Sequence, residues 1–123
     1  MRTTDFVVTL FQGKSNPNYL TVGMVMGLNA LKQGHTATII LMVEAVELGQ
    51  PGATKGIDIG APFAEVSGQL EEFLSLGGQV CICNACMIHN GYTAEQMDSR
   101  FQLIDAPDVV SLLMNAKGSL QIT

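Results

Sequence analysis

Two kinds of apolar pattern alternate along this chain. Short runs of β-branched and aromatic residues with little polar interruption read as strands buried on both faces, and longer stretches with apolar positions three and four apart read as helices. Residues 5–11 (DFVVTLF), 36–43 (TATIILMV) and 79–83 (QVCIC) are the strongest strand candidates. Residues 101–104 and 119–123 read as two shorter strands, the last at or near a sheet edge. Between them, residues 18–33 predict a long helix, with Ser15 or Asn16 as cap, Pro17 in the first turn and Gly34 at its end. Residues 44–48 predict a helical turn, and the glycine-bearing stretch to Pro62 a long loop. Residues 63–76 predict an amphipathic helix, with Phe63, Val66, Leu70, Phe73 and Leu74 on one face and Gly77-Gly78 beyond it. A short helix to Asn90, a turn capped by Thr93, and a last helix over residues 109–116 starting from Asp105 or Ala106-Pro107-Asp108 complete the series. Strands and helices in alternation, joined by short connections, predict a three-layer α/β/α sandwich around a mostly parallel five-stranded sheet.

The first helix carries little polar surface: Leu20, Val22, Met24, Val25, Met26, Leu28, Ala30 and Leu31 surround most of it. One core explains only part of that circumference. Composition points the same way, since 47% of the residues are hydrophobic and only 14% charged in a chain of 123 residues, too few charges to cover a small surface. A homo-oligomer is therefore expected. The formal charge of -5 and only six scattered basic residues exclude a phosphate-backbone partner, so no nucleic acid is expected. Neither a signal peptide nor a membrane-spanning run precedes or interrupts the pattern, and a cytoplasmic, reduced setting is expected.

The three cysteines all fall within residues 81–86. An odd number packed into one turn cannot be a disulfide framework, so their role is chemical or they fill the core. Strand alternation puts Cys81 deeper in the sheet, as a core filler. Cys83 falls at the strand's carboxyl end and the start of the next helix, where backbone N–H groups and the helix dipole favour an anion. A lowered thiol pKa and a nucleophilic role are expected there. Cys86, one helical turn on, is a candidate resolving thiol. His89, near the helix end, is a candidate for proton transfer against a structural role. Lys14, in the loop after the first strand, is a candidate to stabilise a thiolate against the reading of a solvated lysine.

Three other chemistries compete. Cys83-x-x-Cys86 has the spacing of dithiol oxidoreductases, although its strand comes late in the chain and no aromatic residue precedes the first cysteine. A metal site would need a fourth ligand beyond the cysteines, and His89 alone is near, so no metal is expected. Nucleotide binding lacks its glycine spacing: Phe11-Gln12-Gly13-Lys14-Ser15 holds a single glycine, and no cofactor is expected.

The run Gly77-Gly78-Gln79-Val80-x-x-Cys83-x-x-Cys86-x-x-x-x-Gly91, with the short opening strand, the apolar first helix and the glycine-rich loop after the second strand, resembles the DsrE/DsrF-like sulfur-relay family. Members have an active cysteine after the third strand about eight residues before a glycine, which Cys83 and Gly91 match. The resemblance spans the chain and implies a flavodoxin-like, DsrE-like α/β domain over residues 1–123 that assembles into trimers or hexamers. It also implies a sulfurtransferase-like carrier that takes sulfane sulfur from a donor protein as a persulfide on Cys83 and hands it to an acceptor. A non-catalytic assembly subunit of such a complex is the alternative, since some members have no demonstrated activity.

Overall fold

The computed structural model describes every residue from Met1 to Thr123. Its strands are β1 (Phe6–Leu10), β2 (Ala37–Leu41), β3 (Gln79–Cys83), β4 (Gln102–Ile104) and β5 (Gly118–Ile122). They form one sheet in the order β4-β3-β2-β1-β5, and every pair is parallel. The helices are α1 (Pro17–Lys32), α2 (Val66–Ser75), α3 (Asn84–His89) and α4 (Ala106–Asn115), with 3₁₀ turns at Val43–Gly49 and Ala94–Gln96.

The side-chain period of two divides the central strands between two cores. On one face Val8, Leu10, Ile39, Leu41, Val80 and Ile82 pack under α1, α2 and α3. On the other, Val7, Ile40, Cys81 and Ile104 pack under Val109 and Leu112 of α4 alone. The first face admits close packing because α1 presents Gly23 and Gly27 to it. A Cβ on Gly27 would lie 3.2 Å from both Ile39 and Phe73, and one on Gly23 2.7 Å from Leu10.

Helix starts follow their caps. α1 begins at Pro17, but Asn16 does not cap it with its side chain; the Asn16 amide hydrogen-bonds Gln12 instead. α2 begins at Val66, three residues later than the apolar pattern predicts, because Glu65 is its cap and holds residues 63–65 outside the helix. The Glu65 carboxylate accepts from Gly68 N–H at 3.0 Å and reaches back to Gly56 N–H at 2.9 Å. In α4, Asp105 and Asp108 form a reciprocal capping box.

At the amino end of the sheet a buried polar cluster fixes β3. Gln79 Nε2 donates to Thr38 Oγ1 and to the Arg2 carbonyl, both at 2.9 Å, and Thr38 Oγ1 lies 2.7 Å from Thr4 Oγ1. A buried amide with these partners sets which residues of QVCIC face which core.

Candidate functional site

β3 runs out at Cys83 and turns straight into α3, whose Met87 joins the α1/α2 core. β4, the next strand over, pairs Ile104 with Cys83 and then turns to the opposite face, into α4. Connections leaving adjacent parallel strands in opposite directions open a crevice between their carboxyl ends, the usual ligand position in such sheets. Cys83 and Asp105 flank that crevice, and Asn84 Nδ2 reaches across it to Asp105 Oδ1 at 3.4 Å. Asn84 and Asp105 are missing from the sequence-derived site, since only strand order makes them neighbours.

The rim is tied together from three loops. Lys14 N–H donates to Glu47 Oε1 at 2.6 Å, linking the β1–α1 loop to the 3₁₀ turn after β2. Asn90 Nδ2 donates to the Val43 carbonyl at 3.3 Å, linking that turn to the end of α3, and Asp98 N–H donates to the Gly49 carbonyl at 2.7 Å. Val43 has φ 53°, a left-handed conformation strained for a β-branched residue and worth about 1–3 kcal/mol. It follows Met42, the residue just beyond the end of β2.

All three thiols are free. Cys81 is wholly buried in the α4-side core, and burial pushes its thiol up to about 11. Cys83 is only 7% exposed, and here the structure corrects an expectation. Its thiol is raised, not lowered, first by burial and then by the side-chain hydrogen bond it shares with Cys86. The backbone N–H groups of Cys86 and Ala85 favour the anion, but they are outweighed. α3 has six residues and Cys83 closes no side-chain capping bond with it, so its dipole is too short to offset desolvation. Cys86 is half-buried and packs beside the α1/α2 core.

The other two candidates lie apart from this pair. His89 is exposed at the far end of α3, about 9 Å along the helix from Cys83 at 1.5 Å per residue. Lys14 is exposed after β1, two strands from β3, about 10 Å across the sheet. An open cleft of about 470 Å³ lies at that end of the rim, lined by Phe11, Gln12, Ser15, Val43, Glu44 and Thr123, with Cys83 outside it. No three His, Cys, Asp or Glu side chains converge as metal ligands, and no helix is long and apolar enough to cross a membrane.

An all-parallel α/β sheet with a cysteine pair at its crevice defines the class of protein. Over residues 6–121 the sequence matches the DsrE/DsrF-like family, and the chain belongs to that family. Among solved structures it is similar to the ychN protein from E. coli, with a TM-score of 0.76 at 15% identity over 98% of this chain and 99% of that one. It is also similar to a conserved protein of unknown function from Bacteroides thetaiotaomicron, with a TM-score of 0.66 at 16% identity over 95% and 93% of the two chains. At these identities the likeness is one of fold. No curated protein matches the sequence significantly.

Proposed function

We propose that this protein is a cytoplasmic sulfur carrier that holds sulfane sulfur as a persulfide on Cys83 and passes it to a partner thiol, working as a homo-oligomer. Membership of the DsrE/DsrF-like family is consistent with a sulfur-relay role. The observation that carries the residue assignment is the position of Cys83 at the β3–β4 crevice, as the N-cap of α3.

Loading begins with a neutral thiol. Cys83 sulfur attacks the outer sulfur of a donor persulfide, the donor's S–S bond breaks, and the Cys83 proton ends on the departing donor thiolate. The product ionises more readily than the thiol did. Its outer sulfur extends about 2 Å beyond the buried one, toward the crevice, and the Ala85 and Cys86 N–H groups hold the anion. Discharge is the same exchange in reverse: an acceptor thiolate attacks the outer sulfur and Cys83 leaves.

The test is intact-protein mass spectrometry of Cys86→Ser after exposure to inorganic polysulfide, beside Cys83→Ser/Cys86→Ser. A gain of one sulfur in the first, reversed by reductant and absent from the second, is the expected result. No gain, or an equal gain in both, would overturn the assignment to Cys83. The burial of Cys83 favours one other reading, an assembly subunit whose cysteines only pack. That reading predicts thiols that resist alkylation until the protein unfolds.

A further inference from the structure

The fold places a second thiol one helical turn from the proposed carrier, and a sulfur carrier that only waits for an acceptor has no need of it. We propose that Cys86 discharges the Cys83 persulfide within the chain: its sulfur attacks the inner sulfur, the Cys83–Cys86 disulfide forms, and hydrosulfide leaves. This rests on the persulfide reading above and adds a reaction to it, namely reductive release of sulfide from sulfane sulfur.

The step balances without an outside oxidant. One S–S bond breaks and one forms. The outer sulfur gains two electrons and departs as hydrosulfide, carrying the proton from the Cys86 thiol, and the two cysteine sulfurs supply those electrons. A dithiol reductant is required only to reopen the disulfide before the next round.

Three features of the site select this course. The first is proximity: Cys83 is the N-cap of α3 and Cys86 its third residue, so the two side chains stand on one turn of helix, as i and i+3 neighbours. The second is the leaving group. Attack on the outer sulfur would expel the Cys83 thiolate into a pocket where only 7% of the residue is exposed and where burial disfavours the anion. Attack on the inner sulfur expels hydrosulfide, a weaker base that departs to solvent, and the exchange runs faster with the weaker base leaving. The third is access. Cys86 is the more exposed of the two, so the disulfide it makes lies where a reductant reaches it, whereas Cys81 is fully enclosed on the α4 side and stays out of the exchange.

Wild type, Cys86→Ser and Cys86→Ala are each reduced, given one equivalent of inorganic polysulfide, desalted, and followed by intact mass and by released sulfide. The expected wild type loses two hydrogens and releases about one sulfide per chain after desalting, while both variants keep one added sulfur at least tenfold longer. If the wild type keeps its added sulfur as long as the variants, resolution by Cys86 is overturned and the carrier stands. If neither variant gains sulfur, the persulfide reading itself falls. A wild-type disulfide beside variants that gain nothing would make the site a plain dithiol and overturn both. Equal thermal melts of the three chains establish that the variants are folded, and two substitutions guard against one that is not.

Discussion

Cys81 and Cys83 stand two positions apart on one strand, and burial first of all holds both as neutral thiols, with the neighbouring Cys86 adding to it at Cys83. Cys81 is surrounded by apolar side chains and its thiol is pushed up to about 11. An unfolded cysteine ionises near 8.5. Its contribution to stability is therefore complete below about 8.5 and is lost as pH rises toward about 11, since the unfolded chain then binds fewer protons than the folded one. Cys81→Ala should cost about 1 kcal/mol at neutral pH through the space it leaves, and denaturant midpoints should show a shallower decline above pH 9 than in wild type. For Cys83 a removable part of the shift comes from Cys86. Cys86→Ala removes the neighbouring thiol that raises Cys83 and opens the pocket, so both changes lower the Cys83 pKa. Alkylation of Cys83, followed by peptide mapping across pH, should reach its half-maximal rate at lower pH in Cys86→Ala. An unchanged or raised midpoint would mean that the neighbouring thiol is not what holds Cys83 protonated.

Among elements, the junction of α2 with β3 aligns the site. α2 ends at Ser75, and two adjacent glycines follow with different tasks. Gly77 has φ +90° and nothing within 4 Å of an added Cβ, whereas a Cβ on Gly78 would meet the Phe73 ring at 2.3 Å, and Phe73 is wholly buried. Gly77→Ala should cost about 1 kcal/mol of backbone strain. Gly78→Ala should cost roughly 1–3 kcal/mol of overpacking. Pairing each with Phe73→Leu tells the mechanisms apart in a thermal melt, because the smaller side chain relieves Gly78→Ala and not Gly77→Ala.

What the sequence made legible, and what it did not, divides along the same lines. Continuous β-branched runs located β1, β2 and β3, and the abrupt change of period at Cys83 located the β3–α3 junction, because buried parallel strands and helix starts are local patterns. The late start of α2 was hidden because Glu65 makes its cap partly with Gly56, nine residues back. The sign of the Cys83 shift was hidden for a stronger reason. Helix position is written in neighbouring residues, but burial depends on what other parts of the chain bring, such as β4, whose Ile104 pairs with Cys83. The contact of Asn84 with Asp105 is legible only once β4 is known to lie beside β3.

For the whole molecule, the two faces of the sheet are unequally covered. α1 and α2 lie over one, while α4 alone lies over the other, and the outer side of α4 carries Val110 at 59% and Met114 at 79% exposure. These residues are four apart, so they form one apolar stripe along the helix. On α1, Met26 at 43% and Tyr19 at 44% add apolar surface that a single chain leaves wet. A chain with so few charges is expected to close such surface against copies of itself, and light scattering should return a mass well above that of one 13.1 kDa chain. Val110→Glu/Met114→Lys replaces the stripe with an ion pair of favourable orientation and preserves the helix. If α4 is the contact, the double variant should lose assembly while melting as a folded chain. Polysulfide loading of Cys83, measured in the Cys86→Ser background, should then persist, because every residue of the crevice comes from one chain. Loss of loading on dissociation would show instead that a neighbouring copy completes the site. An unchanged mass would move the contact from α4 to the Tyr19–Met26 side of α1.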